Sequence, residues 1–362
     1  MTGHQLFQRD LLAFYDRSRR DLPWRTSANP YAVWVSEVML QQTRVSTVLR
    51  YFPAWMKRFP SVRALALAPE ADVLHAWQGL GYYSRARRLH GAAKAVVERH
   101  GGELPSNPEA LRALPGVGAY SAGAIASIAF GLQEPIVDGN VVRVLSRAFG
   151  LRGDPEKAPL KRALWTLARE LVPAERPGDF NQALMELGAT VCTPRSPICD
   201  NCPLQKRCVA RAEGLVEALP ELKRRDAPTP VGVAAAIVRA NGRVLVVQVP
   251  DDATRWAGLY TFPQVERGTN EEAARAAARA VREQAGLTAE VGERAAVLTH
   301  AITRFRITLE AYDAVVTAPR TRTTARASFV RPGELGGLAM PAPHRKLAQL
   351  LFAARASARR AG

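Results

Sequence analysis

The stretch LPGVGAYSAGAI, residues 114–125, decides the fold of the first part of the chain. Residues 108–114 and 120–130 have helix-forming patterns, whereas the GVG sequence at 116–118 favours a tight turn between them. Glycines adopt backbone conformations that other residues rarely adopt, and they let backbone N–H groups approach a phosphate at the start of a helix. The pattern therefore predicts two helices joined by a glycine turn, a unit that can hold a nucleic-acid backbone without reading bases.

The composition is that of a basic protein with ordinary cores. The 362 residues include 50 Lys+Arg and 33 Asp+Glu, which gives a net charge of +17, and 47% of the residues are hydrophobic. The length predicts about two domains. The charge favours a polyanionic partner such as a nucleic acid, although a genome rich in Arg and Ala codons would produce a similar balance.

The chain has no pattern that predicts export or membrane insertion. Its first 21 residues carry charges throughout, unlike a signal peptide, and no stretch approaches the ~18 consecutive apolar residues of a membrane span. We expect a cytosolic protein, in a compartment where thiols stay reduced.

All four cysteines lie within seventeen residues, with the spacing C-x6-C-x2-C-x5-C. In a reducing compartment, clustered cysteines bind metal more often than they form disulfides. Zinc and an iron–sulfur cluster both accept four cysteine ligands, and this spacing leaves both open. The candidate metal ligands are Cys192, Cys199, Cys202 and Cys208.

Glu37 lies in an apolar segment that we expect to be helical from Pro30 to about Phe52, with Asn29 as its N-cap. On one continuous helix, Trp34, Glu37, Gln41 and Arg44 would share a face. A carboxyl among apolar neighbours has a raised pKa and can donate a proton near neutral pH. Glu37 is therefore a candidate general acid, unless its face of the helix is simply solvated.

Asp138 follows an apolar stretch and precedes a segment of helical period. Asp is a favoured N-cap residue, so Asp138 has a structural interpretation beside a catalytic one. The residues alone leave both open.

Seven motifs together identify a resemblance to the MutY-type adenine DNA glycosylases of the helix-hairpin-helix superfamily. They span about residues 20 to 210 and include the cysteine loop. The other six are LPWR (22–25), SEVMLQQTRV (36–45), GLGYYSRARRLH (79–90), LPGVGAYSAGAI (114–125), VDGNVVRVLSR (137–147) and FNQALMELGATVC (180–192).

The resemblance implies an enzyme of base excision repair. It would remove adenine mispaired with 8-oxoguanine or guanine in double-stranded DNA, and so prevent G:C to T:A mutations, after the adenine is flipped out of the stack. Glu37 would protonate the adenine, and Asp138 would stabilise the positive charge on the sugar, as paired carboxylates do in glycoside hydrolysis. Tyr120 and Asn140 would support the charged sugar and Asp138.

The resemblance also implies the binding residues and the cofactor. Trp24, Arg25 and Gln182 would line the adenine pocket. Gln41, Gln42, Thr43, Leu80 and Tyr82 would enter the duplex, and Gly116, Val117 and Gly118 would hold the DNA backbone. The four cysteines would bind a [4Fe-4S] cluster with a mainly structural role. The resemblance also implies a monomer in the bacterial cytoplasm, associated with the nucleoid.

Two alternatives remain. Endonuclease III-type glycosylase/lyases have a catalytic lysine where this chain has Tyr120, and a tyrosine cannot form a Schiff base. The resemblance therefore predicts a monofunctional glycosylase. A non-catalytic DNA-binding module would require that Glu37 and Asp138 be structural.

The C-terminal third has strand-like periodicity. Residues 231–238 and 243–249 read as strands joined by Asn241-Gly242, a strong hairpin signal, and residues 271–285 read as a helix. Further strands are expected near 295–299 and 305–316. The plan and the sequence WAGLYTFP (256–263) resemble the Nudix-like domain of MutY-type enzymes.

This domain lacks the clustered glutamates that a Nudix hydrolase needs for magnesium, so we expect recognition rather than hydrolysis. The resemblance implies that it recognises 8-oxoguanine with a Phe-Ser-His turn. Here Ile302, Thr303 and Arg304 stand at those positions. Thr303 and Arg304 are thus the candidate opposite-base residues, and their chemistry differs from that of the family.

The expected fold is multidomain, α followed by α+β. Residues 1–212 form an all-α helix-hairpin-helix glycosylase domain that includes the iron–sulfur loop, 192–208. A linker (213–230), a Nudix-like domain (231–352) and a basic tail (353–362) follow.

Overall fold

Helices form the N-terminal part of the chain. The structure is a computed structural model that describes residues 2–26, 29–223, 226–302, 304–317 and 323–353; most of the predicted basic tail lies outside these residues. The helices are α1 (Gly3–Ser18), α2 (Pro30–Leu40), α3 (Val45–Arg58), α4 (Val62–Leu67), α5 (Glu70–Ala76), α6 (Ser84–His100), α7 (Pro108–Arg112), α8 (Ala119–Phe130), α9 (Gly139–Phe149), α10 (Ala158–Leu171), α11 (Pro177–Thr190) and α12 (Val209–Ala212). Short 3-10 helices cover Pro23–Arg25, Cys199–Asn201 and Gln205–Arg207.

The chain divides into two compact units. One comprises Met1–Glu70 and Ser84–Arg224, and the other comprises Ala71–Tyr83 and Arg225–Gly362. The helices of the first unit and the sheet of the second confirm the predicted succession of an all-α part and an α+β part. None of the described helices is long and apolar enough to cross a lipid bilayer.

The core of the first unit lies between α1 and the helices α8 to α11. Its buried side chains include Phe7, Leu11, Val144, Leu164 and Phe180, each at most 7% exposed. Complete burial of an apolar side chain of this size stabilises the fold by about 1.5–3 kcal/mol. The core therefore fixes α8, α9 and α11 relative to one another, and these helices carry Tyr120, Asn140 and Gln182 of the candidate site.

The predicted helix–turn–helix unit is confirmed. Asn107 caps α7 by accepting the N–H of Ala110, and α8 begins after the N-cap Gly118. Gly116 has a φ of 77°, a left-handed conformation that glycine adopts without strain. The glycine is thus required by the turn itself.

The expectation of one helix from Asn29 to Phe52 is wrong. The helix α2 ends at Leu40 and α3 begins at Val45, with Gln42 at a φ of 56° between them. The buried Arg85 guanidinium donates to the carbonyl oxygens of Val38 and Met39, at 2.9 Å each, and to that of Gln41. These bonds satisfy carbonyls that a continuing helix would have used.

A predominantly antiparallel sheet forms most of the second unit. The strands are β1 (Thr229–Ala240), β2 (Arg243–Gln248), β3 (Tyr260–Thr261), β4 (Gln264–Glu266), β5 (Ala289–Ile302), β6 (Phe305–Val316) and β7 (Ala327–Val330). The order is β3-β2-β1-β6-β5, with β4 paired to β1, β7 paired to β2, and β1 parallel to β6. The helices are α13 (Ala273–Ala285) and α14 (Ala342–Ala348), with a 3-10 helix at Pro332–Gly337 and a π-helical turn at Gln349–Ala353.

Alternate side chains of β1 point to opposite faces of this sheet, and both faces are packed. Ala234, Ala236 and Val238 pack with α13 on one face, whereas Val233 and Ile237 pack with Phe262 and its neighbours on the other. The predicted hairpin is confirmed: Ala240 pairs with Arg243 across Asn241-Gly242, both of which have positive φ.

Candidate active site

Glu37 is a buried carboxyl near the end of α2. It is 5% exposed, and the Tyr120 hydroxyl on α8 donates to its Oε2 at 2.6 Å. Burial raises the pKa of Glu37 to about 7, and the nearby Asp138 charge contributes in the same direction. The Tyr120 hydrogen bond and the Arg25 charge act against this rise. The raised pKa that the apolar sequence predicts for Glu37 is therefore confirmed.

Asp138 is the N-cap of α9. Its Oδ1 accepts the Val141 N–H at 2.7 Å, and its Oδ2 accepts the Asn140 side-chain amide at 2.9 Å. Burial raises its pKa, while these two donors favour the ionised form and oppose the rise. The capping interpretation is confirmed, and it fixes the position of a partly buried carboxylate whose charge acts on Glu37.

Hydrogen bonds fix the supporting residues as well. The Tyr120 hydroxyl also contacts the Met185 sulfur at 3.3 Å, and burial raises its pKa well above the ordinary value. Asn140 accepts a bond from Arg143 at 2.9 Å, and Arg143 reaches the Cys192 carbonyl at 2.7 Å. Asn140 thus contacts Asp138, whereas Tyr120 contacts Glu37.

The predicted adenine-pocket residues come from two elements. Trp24 is 6% exposed and lies edge-on to Phe52, with ring centroids 5.4 Å apart. Gln182 is partly buried on α11. Arg25 is engaged elsewhere, because its Nη2 lies 2.8 Å from Oε2 of Glu186.

Glu186 was not predicted from the sequence. Its side chain is fully buried on α11 and bonds Arg20 at 2.6 Å as well as Arg25. Burial opposes ionisation of Glu186, but the two arginines outweigh it and hold its pKa below the ordinary value. A fully buried acidic residue with two arginine partners more than 160 positions away leaves no signal in a local sequence pattern.

The residues expected to enter the duplex lie in two turns, one in each unit. In the first, Gln41 donates to Ser121 at 3.4 Å, Gln42 is exposed, and Thr43 accepts a bond from Arg85 at 3.1 Å. In the second, Leu80 is buried, whereas Tyr82 is 45% exposed with a φ of 46°. Bulky residues rarely adopt a positive φ, and such conformations concentrate at functional sites.

The glycine turn offers exposed backbone at Gly116 and Gly118. Val117 has a buried side chain, and its N–H donates within the turn to the Leu114 carbonyl at 3.1 Å. The exposed Arg88 on α6 packs against Gly116. Sequence reasoning missed Arg88, whose charge suits a phosphate at this turn.

The four cysteines line one cavity, together with Arg147 and Arg211. Arg147 lies 3.4 Å from the Cys192 sulfur and donates to the Thr193 carbonyl at 2.8 Å and to the Leu219 carbonyl at 2.9 Å. In the part of the chain that the structure describes, no three His, Cys, Asp or Glu side chains are close enough together to hold a single metal ion. Four thiols around one cavity suit either zinc or an iron–sulfur cluster.

Of the two predicted opposite-base residues, the structure describes Arg304. Thr303 lies outside the described residues. Arg304 is exposed at the turn between β5 and β6, with its guanidinium 5.0 Å from the centroid of the Phe305 ring.

Comparisons with known proteins agree with this architecture. Residues 35–170 match the family described as "HhH-GPD superfamily base excision DNA repair protein", and residues 233–350 match the NUDIX domain. An adenine DNA glycosylase of Buchnera aphidicola subsp. Acyrthosiphon pisum is 34% identical over 264 residues, which cover 73% of this chain and 75% of that protein. The chain belongs to the adenine DNA glycosylase family.

Other family members are more similar over a shorter range. The human adenine DNA glycosylase is 53% identical over 214 residues, 57% of this chain and 39% of its own length. The rat protein is 52% identical over 59% of this chain and 44% of its own length. The chain thus spans less than half the length of these mammalian relatives.

Solved structures match the helical part. A thermostable thymine-DNA glycosylase is 33% identical with a TM-score of 0.54, over 58% of this chain and 97% of that one. Endonuclease III in a non-covalent DNA complex is 22% identical with a TM-score of 0.50, over 59% of this chain and 99% of that one. The second similarity shows the fold alone.

Proposed function

We propose that this protein is a monofunctional adenine DNA glycosylase that hydrolyses the N-glycosidic bond of adenine opposite 8-oxoguanine or guanine. One observation carries the proposal: a buried carboxyl with a pKa of about 7, Glu37, lies close enough to Asp138 for their charges to interact. Departure of a purine base requires a proton donor for the base and a negative charge near the sugar. Membership of the adenine DNA glycosylase family favours adenine as that base.

In the proposed mechanism, Glu37 donates its proton to N7 of the flipped adenine. A carboxyl with a pKa near 7 is partly protonated at neutral pH and so can act as a general acid. Protonation makes adenine a better leaving group, and positive charge develops on the deoxyribose as the bond breaks.

Asp138 then stabilises the charged sugar, or forms a transient bond to C1′ that breaks when water attacks. Water adds to C1′ and gives a proton to the ionised Glu37, which leaves an abasic site. The Asn140 amide and the Val141 N–H hold the two Asp138 oxygens in fixed positions, so the carboxylate needs little reorganisation when the charge appears. Asn140 supports the charged sugar, and Tyr120 holds the Glu37 carboxyl in place.

The substrate is double-stranded DNA, in which the adenine leaves the stack. Trp24 and Gln182 line the pocket for the flipped base. Gln41, Gln42, Thr43, Leu80 and Tyr82 enter the duplex, where the exposed Tyr82 ring suits a wedge between bases. The turn at Gly116 and Gly118, with Arg88 beside it, holds the backbone.

The cysteine cavity would hold a [4Fe-4S] cluster through Cys192, Cys199, Cys202 and Cys208. When bound, the cluster would supply a rigid cross-link of residues 192–208, with no part in the hydrolysis. Lys206 and Arg207 in this loop can then face phosphates.

The absence of a lysine at position 120 supports hydrolysis without strand cleavage. Tyr120 cannot form a Schiff base with the sugar, so the product is an abasic site. The enzyme would act as a monomer on the nucleoid in the bacterial cytoplasm.

The opposite base would be read by the second unit. Residues 303 and 304 are Thr and Arg, and Arg304 is exposed at the tip of a long hairpin. Because arginine carries a fixed charge, we expect a preference for 8-oxoguanine over guanine that differs from that of relatives with the Phe-Ser-His turn.

The test is single-turnover cleavage of duplexes that carry A opposite 8-oxoguanine, A opposite G and A opposite T, with and without alkali. Alkali-dependent cleavage of the A strand in the first two duplexes supports the proposal. Cleavage without alkali would indicate a lyase, and failure to release adenine from any duplex would disprove the proposed substrate.

A further inference from the structure

A charged cluster in the first unit lies outside the residues that the proposed mechanism uses. Glu186 on α11 accepts bonds from Arg20 Nε at 2.6 Å, Arg20 Nη2 at 3.0 Å, the Arg20 backbone N–H at 3.2 Å and Arg25 Nη2 at 2.8 Å. The Glu186 side chain is fully buried, and that of Arg25 is only 13% exposed. Solvent therefore screens the Arg25–Glu186 pair weakly, whereas the Arg20 side chain is 38% exposed.

Arg25 is held in one position by several contacts. Besides Glu186, it donates to the Arg20 carbonyl at 3.2 Å, and its guanidinium lies 5.5 Å from the centroid of the Tyr15 ring. A guanidinium with a carboxylate, a carbonyl and an aromatic face around it has little freedom to move. These contacts hold the Arg25 charge beside Glu186.

The cluster is connected to the active site through α11. Met185 precedes Glu186 in this helix, and its sulfur contacts the Tyr120 hydroxyl that bonds Glu37. The charged or titratable groups that act on Glu37 are Tyr120 on α8, Asp138 at the start of α9, and Arg25 on the 3-10 helix Pro23–Arg25. Arg25 is the cation among them, and Glu186 is its carboxylate partner.

We propose that Glu186 is a positioning residue that partly neutralises Arg25 and so keeps Glu37 protonated as the general acid. This inference rests on the proposed function. Without the Glu186 charge, the full charge of Arg25 would favour the ionised form of Glu37, which cannot donate a proton. Without the Arg25 charge, the protonated form would persist to higher pH.

Removal of the Glu186 charge should lower the pKa of Glu37, and removal of the Arg25 charge should raise it. A merely structural role of Glu186 would not produce these opposite shifts. The full-length chain is compared with Glu186→Gln and Arg25→Met, and Glu175→Gln serves as a control that removes the same charge at an exposed position. The pKa of Glu37 is followed by carboxyl ¹³C NMR of glutamate-labelled protein, with Glu37→Gln to assign the signal. Adenine release at single turnover is measured over the same pH range.

We expect Glu186→Gln to lower the midpoint of the Glu37 titration by about one pH unit and Arg25→Met to raise it by a similar amount. The high-pH decline of adenine release should follow each midpoint, and Glu175→Gln should match the parent protein. Midpoints that coincide in all variants, with rates that fall uniformly, would overturn the proposal.

Two further outcomes are also decisive. If Glu186→Gln does not fold, Glu186→Asp replaces it, because its shorter side chain moves the carboxylate away from Arg25. A smaller downward shift of the Glu37 midpoint would then support the proposal. An unchanged midpoint would overturn it. If the parent releases no adenine, the proposed function fails, whereas the NMR midpoints still decide whether Glu186 controls the protonation of Glu37.

Discussion

The Tyr120 hydroxyl donates a 2.6 Å hydrogen bond to the Glu37 carboxyl and thereby joins α8 to α2. The bond favours the ionised form of Glu37 and opposes the effect of burial on its pKa. The pKa of about 7 is thus a balance: desolvation and the Asp138 charge raise it, whereas the Tyr120 bond and the Arg25 charge lower it.

Tyr120→Phe should raise the pKa of Glu37, because the variant removes a donor that stabilises the carboxylate. A general acid acts in its protonated form, so activity is lost as pH rises through its pKa. The high-pH decline of adenine release should therefore move to higher pH, while the maximal rate falls because the carboxyl is less well held. A pH profile of single-turnover rates tests this, and a decline that moves to lower pH would contradict it.

Glu37→Gln should abolish adenine release and stabilise the fold at alkaline pH. The folded-state pKa of about 7 exceeds the ordinary 4.5, so the folded state binds a proton more tightly than the unfolded state does. Ionisation of Glu37 then lowers the free energy of unfolding by about 3 kcal/mol as pH rises from 4 to 8.

Urea denaturation at pH 5 and pH 8 measures this effect. The parent protein should lose more stability between the two pH values than Glu37→Gln, and the exposed Glu175→Gln should behave as the parent does. Equal losses in the parent and Glu37→Gln would show that Glu37 is not the buried, proton-binding group that the structure describes.

Asp138 has a capping role and a proposed catalytic role, and two substitutions separate them. Asp138→Asn keeps a good N-cap and should leave the free energy of unfolding nearly unchanged, yet lose adenine release because the negative charge is gone. Asp138→Ala should lose both activity and about 1 kcal/mol of stability. Thermal unfolding and single-turnover kinetics on the same samples compare the two variants. Full activity in Asp138→Asn would show that Asp138 acts only as an N-cap.

Gly116→Ala should weaken both the fold and DNA binding. The φ of 77° costs a residue with a Cβ about 1–2 kcal/mol, and the added methyl would also meet the Arg88 side chain. Gly118→Ala is the matched control, because its φ of −88° suits any residue and its Cβ would meet no atom within 4 Å. Fluorescence anisotropy with duplex DNA at two salt concentrations should show a larger affinity loss for Gly116→Ala than for its control.

Cys202→Ser should prevent cluster assembly. We expect loss of iron, sulfide and visible absorbance, together with weaker DNA binding, because residues 192–208 lose their cross-link. Thr193→Ser in the same loop serves as a control that should keep all of these properties. A parent protein that holds one equivalent of zinc and no iron would instead indicate a zinc site.

Local patterns predicted the elements that local chemistry determines. The glycine turn before α8 and the Asn241-Gly242 hairpin depend on residues within a few positions of each other, and both were found where expected. The apolar neighbours of Glu37 favoured its burial but left a solvated face open, and the structure shows that the side chain is buried.

Distant partners account for what the sequence did not reveal. The break after Leu40 depends on Arg85, more than forty positions away, whose guanidinium takes the last carbonyls of α2. The Glu186 cluster likewise joins α11 to Arg20 and Arg25, near the start of the chain. Such interactions depend on how the helices pack, and the residue spacing within one segment does not determine that packing.

The contacts of Arg147 have a consequence for synthesis on the ribosome. This buried residue of α9 donates to carbonyls at Thr193 and Leu219, so its acceptors emerge more than forty and more than seventy residues after it. The helix that Asp138 caps therefore cannot reach its final environment until residue 219 has left the exit tunnel. A nascent chain stalled before that point should remain protease-sensitive around α9, and one stalled well beyond it should resist.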